Sequence, residues 1–444
     1  PLALDDVDAP ASATENGRMW LRNPASGDEI FLGETASQVF DVYVLPGTYV
    51  VEYEGLTGAE IAPRNHRARV MTLEVPEGIG THEARLNVTT AQIGGAFLVD
   101  GAPAPASPLE RARISLRDGF TGDEFMIGDT DEGEYVVRVV AGTYDVVYAW
   151  QVGSAVVPAN RHAIIGSLDT TAAATQTIDI PTVTIGGGFL IDGEPPPPDA
   201  NDDGRLSLRG PGGDEVPLGS TTAGGFERIV VAGTYDIRYA QDTSSGIAPA
   251  NSDARLATID VVRDPSFDID VPTAFVSGTI TIGLGAPPES DYDDGWIYLR
   301  DAESGDTVLL ASTRTGVYGT AIVPGKYEVV YAVETPGGQV PINAERVVVD
   351  VVDLQDVGEL DIDIPVRGLG GVIGAAAGPD ERGSLYLRTV DHDDRSLLGT
   401  TADGTYGQPV IPGRYLVSYG VDAATGGLPV NTNAPLACID LLGD

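Results

Sequence analysis

The residues whose types and spacing could do chemistry are chiefly acidic. Asp199-Ala200-Asn201-Asp202-Asp203-Gly204 offers side-chain oxygens at alternate positions and closes on a glycine, the pattern of a loop that wraps calcium. The matching stretch one copy further along reads Asp291-Tyr292-Asp293-Asp294-Gly295. Asp199, Asn201, Asp203, Asp291 and Asp293 are therefore the candidate calcium ligands. The twelfth position of the first loop, where an EF-hand places a bidentate glutamate, is Gly210, so this is not an EF-hand. A solvated acidic turn ahead of a strand is the competing reading.

Other chemistry is absent from the motif record. His66, His82, His162 and His392 show no metal-ligand spacing, and there is no glycine-rich phosphate loop, nucleophile elbow or HExxH. Paired carboxylates are too common along the chain to mark a site, and no enzymatic activity is expected. Two residue types do recur. Arg22, Arg117, Arg209, Arg300 and Arg388 each close a short strand. Each is either an anion ligand displayed five times or a guanidinium tying its sheet to an acidic loop such as Asp28-Glu29, Asp123-Glu124 or Asp214-Glu215. The second reading is favoured, since arginine's planar fork suits a carboxylate. Asn65, Asn160, Asn251, Asn343 and Asn431 each end a Pro-x-Asn turn, and their amides are expected to bond to nearby backbone.

These anchors belong to five copies of one unit. The phrases PGTYVVEY, AGTYDVVY, AGTYDIRY, PGKYEVVY and PGRYLVSY place their first tyrosines at 49, 144, 235, 327 and 415. Arginine, tyrosine and asparagine keep the same order in every copy, the signature of tandem repetition. The second copy reads as seven short strands: IGGAFLVDG, RISLRD, EFMIGDT, EYVVRVV, TYDVVYAW, AIIGSLDTT and TIDIPTV. Ile114 and Leu116 share one face while Arg113, Ser115 and Arg117 take the other. Gly, Pro, Asp and Asn clusters punctuate the strands, and no copy carries apolar residues at helical spacing. The expected fold is all-β: five seven-stranded, mainly antiparallel β-sandwich repeats in tandem, forming an elongated rod. The expected repeats are 1–91, 92–183, 184–274, 275–367 and 368–444, with the first strand of the first incomplete and the last strand of the fifth missing.

Segments such as TDEGEYVVRVVAGTYDVVYA and TRTGVYGTAIVPGKYEVVYA resemble the Gly-x-Tyr hairpin of prealbumin-like bacterial surface modules, a group that includes carboxypeptidase-regulatory-like and Cna-B-like domains. The resemblance implies seven-stranded sandwiches serving as stalks and spacers. Cna-B-like modules often carry a Lys–Asn isopeptide cross-link. Here Lys326 is the one lysine, so that device is not general to the five repeats.

Composition sets the environment. The 444 residues carry 66 acidic and 26 basic side chains, a net charge of −40, which disfavours nucleic acid and anionic lipid as partners. Acidic, lysine-poor surfaces suit saline or calcium-rich surroundings, and a GC-rich genome is the alternative source of that bias. No stretch is long and apolar enough to span a membrane. The single cysteine, Cys438, excludes an internal disulfide framework and is expected as a buried free thiol. Asn87-Val88-Thr89 is a lone glycosylation-type sequon.

Linkers between copies are short and each carries a proline, Pro181, Pro272 or Pro365, so a stiff rod spanning roughly 150–220 Å is expected. The chain reads as an extracellular or cell-surface structural protein: a stalk, fibre or surface-layer subunit. The alternative is a surface adhesin or a glycan- or calcium-binding module engaging cell-surface or matrix components. The incomplete strands at the two ends suggest copies of the chain joined head to tail by strand complementation, and a segment of a longer chain accounts for the same ends.

Overall fold

Strict alternation of apolar and polar side chains makes half-buried strands, and turn residues every few positions keep them short. The computed structural model describes residues 2–9, 15–56, 62–77, 82–153, 155–171, 174–196, 202–243, 246–263, 265–355, 358–374, 381–389, 395–423, 428–429 and 432–442. It is all-β, and its helical content among these residues is five three-residue 3-10 turns.

The second repeat shows the pattern. Its principal strands are Thr90–Val99, Arg111–Asp118, Glu124–Asp129, Glu134–Val140, Thr143–Val152, Ala163–Asp169 and Ile178–Ile180, with minor pairings at Ala102–Pro103 and Ala174–Thr175. The third, second, fifth and sixth form one antiparallel sheet in that order, so the tyrosine strand is internal. The fourth, first and seventh form the other. The first strand is shared lengthwise: Thr90–Ala96 pairs antiparallel with Glu134–Val140, and Phe97–Val99 pairs parallel with Ile178–Ile180. The tandem β-sandwich expectation is met.

Where the first strand changes partner, the backbones come too close for a side chain. A Cβ on Gly95 would lie 2.0 Å from the Gln176 carbonyl oxygen, and one on Gly187 1.7 Å from that of Phe267. The Ile-Gly-Gly lead-in is thus a steric requirement.

Each expected repeat holds its own buried cluster, built around the inward face of the tyrosine strand. The clusters are not closed at repeat boundaries. Val140 packs in the core of the first repeat, Val231 in that of the second, Val323 in that of the third and Ile411 in that of the fourth. Each comes from the following repeat.

The terminal repeats differ from the interior ones. In the first, Leu2–Leu4 pairs parallel with Leu86–Val88, but residues 38–46, which match the fourth strand of other copies, form no strand. In the fifth, Arg367–Val372 pairs with Thr405–Val410 alone among described strands. Cys438 is exposed, against expectation. It lies on Ala434–Asp440, which is an edge strand of its sheet and mostly exposed along its length, so the alternation there does not bury the thiol.

Candidate functional site, the inter-repeat joint

The recurrent asparagines do more than turn the chain. Within its own repeat each does close the turn: the Asn160 carbonyl accepts from Trp150 N–H at 2.7 Å, and the carbonyls of Asn65, Asn251 and Asn343 accept likewise from Gly55, Gln241 and Val333. The side chain, however, enters the next repeat. Asn160 Nδ2 donates to the Tyr235 hydroxyl at 2.8 Å, that hydroxyl donates to the Val231 carbonyl at 2.7 Å, and Val231 N–H donates back to Asn160 Oδ1 at 2.7 Å. Because Val231 offers a donor, the amide orientation is fixed.

This three-membered ring recurs at every internal joint. Asn65 meets Tyr144 and Val140, Asn251 meets Tyr327 and Val323, and Asn343 meets Tyr415 and Ile411. All four asparagines are buried, so their satisfied amides avoid the desolvation cost that an unpaired polar group carries. Burial pushes the Tyr327 phenol up to about 12, against the opposing pull of the Asn251 hydrogen bond. Tyr144, Tyr235 and Tyr415 move in the same direction for the same first cause.

A carboxylate reinforces the ring. Asp214, itself buried, accepts from Asn160 Nδ2 at 2.5 Å and from His162 N–H at 2.8 Å. Asp306 accepts from Asn251 Nδ2, Ser252 and Asp253 N–H. At the first joint the matching Asp123 stands by the backbone of His66 and Arg67, which opposes the burial that raises its carboxyl above the ordinary range. At the fourth joint Ser396 accepts from Ala344 N–H instead. The middle residue of Pro-x-Asn adds a backbone bond to the next repeat, as in Ala159 N–H to Ile229 O at 2.9 Å.

One strand organises both ends of a repeat. The first tyrosine of the phrase receives the preceding asparagine, and the second holds the repeat's own Pro-x-Asn loop. Tyr53, Tyr148, Tyr239, Tyr331 and Tyr419 donate to the carbonyls of Pro63, Pro158, Pro249, Pro341 and Pro429. The ring of the second tyrosine needs glycine opposite it in most copies: a Cβ on Gly204 would lie 2.2 Å from Tyr239.

The linkers are pinned as well. Asp5, Asp100 and Asp192, each in the left-handed region at the turn after a first strand, accept from both N–H and hydroxyl of Thr90, Thr182 and Thr273. Thr90 and Thr182 open the first strand of the next repeat and Thr273 immediately precedes it, so these strands start one or two residues ahead of the expected boundaries. In the fourth repeat Gly283 takes the aspartate's place at this turn, so the clamp is absent there.

The calcium candidates are placed as follows. Asp199 and Asn201 lie outside the described residues. Asp203 accepts from Ser220 and Thr221 hydroxyls and from Gly204 and Thr222 N–H. Burial raises its carboxyl, but these hydrogen bonds leave it below the ordinary value. Asp293 is buried and accepts from Gly337, Gln339 and Val340 N–H. Asp291 is exposed and paired with Arg314. Among the described residues, no three His, Cys, Asp or Glu side chains gather as a metal site. Asp293 has counterparts in Glu15, Glu110 and Asp202, which accept backbone N–H groups from the same loop of their own repeats. These acids shape the loop that carries the asparagine.

The arginines are structural in their placement, but their partners differ from those expected. Arg22 pairs with Glu52, Arg117 with Asp145, Arg209 with Asp253, and Arg300 with Glu328 and Glu345. Those acids lie on the neighbouring tyrosine strand or just after the asparagine. The aspartate of the Gly-Asp-Glu loop faces the joint instead. Missed from sequence were the apolar residue four before the first tyrosine and the place of the Gly-Asp-Glu aspartate at the joint. The apolar residue's fixed offset from the tyrosine, and the aspartate's recurrence five or six residues after the arginine, were the available signals.

No family model matches the chain, and no curated protein matches it. Similar solved structures include the Bacillus anthracis TIE protein, 11% identical over 80% of this chain and 69% of that one, TM-score 0.16. A streptococcal ancillary pilin is 10% identical over 62% of this chain and 98% of its own, TM-score 0.19. Two B repeat units of the collagen binding protein Cna of Staphylococcus aureus are 12% identical over 82% and 97%, TM-score 0.15. At these scores the likenesses carry no argument about family or function.

Proposed function

We propose that this chain is a structural rod segment of an extracellular stalk, fibre or surface layer, and that it joins copies of itself head to tail. The observation that carries this reading is the joint: one hydrogen-bonded ring, built from the same residue types, links every consecutive pair of repeats. Repeats joined by a buried clasp and a pinned linker resist bending, which suits a spacer. The hairpin phrase's resemblance to prealbumin-like surface modules supports the same reading, as does an acidic coat that keeps a long rod soluble outside the cell. No helix among the described residues is long and apolar enough to cross a membrane. Strand complementation between copies is part of the proposal. Electron microscopy of the full chain tests it. Straight particles, lengthening end to end as concentration rises, are expected; compact or freely hinged particles would overturn the reading.

The second reading, a surface adhesin or glycan binder, draws support from one groove. Half-exposed Trp150 lines it with Arg161, Pro217, Glu227 and Arg228, and its volume is about 530 Å³. Binding to a glycan array that is lost on Trp150→Ala would favour it. Calcium at the Asp199–Asp203 loop is the alternative outcome of the ion test argued below.

A further inference from the structure

We propose that the groove between the second and third repeats binds a carboxylated sugar, a uronic acid unit of a glycan of low charge density. The inference rests on the surface glycan-binding reading and names the ligand chemistry of that groove.

The joint itself builds the groove. Ala159 N–H donates to the Ile229 carbonyl at 2.9 Å, and Asn160 clasps Tyr235 and Val231. These bonds set Arg161 of the second repeat and Arg228 of the third along one cleft of about 530 Å³, which Trp150 also lines. The backbone N–H of Trp150 donates to the Asn160 carbonyl, and its indole Nε1–H donates to the Gly153 carbonyl at 2.8 Å. Both bonds fix the ring, yet 36% of the residue stays exposed. A fixed, half-exposed indole is a platform for the apolar C–H face of a sugar ring.

Two guanidiniums in the groove lack a counter-charge. Arg22, Arg117, Arg209, Arg238 and Arg300 each hold a carboxylate at 2.6–2.9 Å. Arg228 instead donates from Nε to the Pro217 carbonyl at 3.2 Å, on the facing sheet, and from Nη1 to the Glu227 carbonyl at 2.8 Å. That orients its fork and leaves Nη2 unspent among the described residues. Arg161 is exposed and has no hydrogen bond or ion pair among the described residues. In a chain of 66 acidic and 26 basic side chains, two such arginines beside one tryptophan are a place that admits a carboxylate. Among the lining side chains, two arginines against Glu227 leave a net positive charge, and the Glu227 carboxylate is an acceptor for sugar hydroxyls.

The three residues are not part of the repeat. Trp150 stands where other copies have Gly55, Gln241 and Val333, and Arg161 where they have His66, Ser252 and Ala344. Arg228 stands where they have Val137, Thr320 and Gln408. What the joint requires recurs at all four joints, so a trio found at one of them serves something else. The acidic surroundings select the occupant. A net charge of −40 repels a densely charged polyanion. A glycan with one carboxylate per disaccharide meets the two arginines at contact range, with the more distant repulsion screened beyond about 8 Å at physiological salt.

Saturation-transfer NMR titration of the full chain in about 0.15 M NaCl is the test. The probes are a hyaluronan tetrasaccharide, which alternates glucuronate with N-acetylglucosamine, and chitotetraose, its neutral counterpart. Hyaluronan is expected to bind with a dissociation constant of about a millimolar or below, and chitotetraose at least about tenfold more weakly. Trp150→Ala should abolish binding, and Arg161→Ala and Arg228→Ala should each weaken it by at least about tenfold. Arg263→Ala, a change at an exposed arginine outside the groove, should bind like the parent. Circular dichroism and melting curves confirm that each variant is folded. Arg161→Ala, whose side chain has no partner to lose among the described residues, carries the test if Trp150→Ala is not. Chitotetraose binding that is lost on Trp150→Ala, with neither arginine change affecting either sugar, overturns this inference and leaves the glycan-binding reading standing. A parent that binds neither tetrasaccharide overturns the inference, and a blank glycan array beside it overturns the glycan-binding reading too.

Discussion

Asn160 and Tyr235 belong to different repeats, yet their side chains meet at 2.8 Å and share Val231 as a common partner. The ring they form has no surplus donors facing apolar atoms, and Asp214 takes the amide's second proton. A buried polar ring of this kind gives direction as well as stability, because only one orientation of the two repeats satisfies every member.

Asn160→Ala should therefore strip partners from Val231 N–H, Tyr235 and a buried carboxylate together. A loss of about 1–3 kcal/mol is expected, seen by calorimetry as the second and third repeats melting earlier and less cooperatively with each other. Asn160→Asp keeps the shape but sets an acceptor against Tyr235 and Asp214, so it should destabilise at least as much. An unchanged calorimetric profile would show that the ring is incidental to coupling.

The ranking of the arginines follows burial. Arg22 serves Glu52, whose side chain is 1% exposed, with Arg67 as its other partner. Removing Arg22 leaves a buried carboxylate half-satisfied, and Arg22→Ala should cost about 1–3 kcal/mol. Arg117 and Asp145 are both partly exposed, so Arg117→Ala should cost under ~1 kcal/mol. Denaturant melts of the two variants check the order, and equal losses would contradict it.

Much of this architecture was legible in the letters. Alternation in ARISLRD and the spacing of the tyrosines led to sandwiches in tandem, because local pattern determines strands and repetition determines their copies. The role of Asn160 was not legible. A recurring Pro-x-Asn has the same local signature whether its amide bonds to its own turn or to a tyrosine 75 residues away, and only the geometry between repeats separates the two. Arg117 was misassigned for a related reason. Asp123 is nearer in sequence, but Asp145 lies directly across the ladder, on the adjacent strand. Cys438 failed because pattern alone does not reveal which strand is an edge.

Stability should fall at both extremes of pH, through different groups. Burial raises the Asp253 carboxyl, but hydrogen bonds from Arg238 and Arg209 outweigh it and hold the group below its ordinary value of 3.8. Such an acid contributes stability above its unfolded value that is lost as pH falls through the folded one. The parent's advantage over Asp253→Asn should thus be constant near neutrality, begin to decline below about pH 4 and vanish as pH falls through the lower folded value. The joint tyrosines act in the opposite sense. Burial raises Tyr327 to about 12, so its contribution is complete below pH 10 and disappears between there and about 12. Melting temperatures across the range check both limbs, and Tyr327→Phe should flatten part of the alkaline one.

Ions should act on this protein mainly through screening. Sixty-six acidic side chains against 26 basic ones repel in the folded state, so added monovalent salt should raise the melting temperature over the submolar range. Calcium and magnesium at equal ionic strength are expected to act alike, because two of the candidate ligands already have tasks. Asp293 binds three backbone N–H groups of the loop that presents Asn343, and Asp203 holds the hydroxyls of Ser220 and Thr221. Asp293→Asn should accordingly lower stability in the absence of any divalent ion, with the fourth and fifth repeats uncoupling first. A rise specific to calcium, abolished by Asp199→Asn or Asp203→Asn and indifferent to Asp293→Asn, would instead establish a cation at the Asp199 loop. Calcium binding N and not U stabilises by mass action, so its increment should also grow with the logarithm of its concentration, which screening by magnesium does not reproduce.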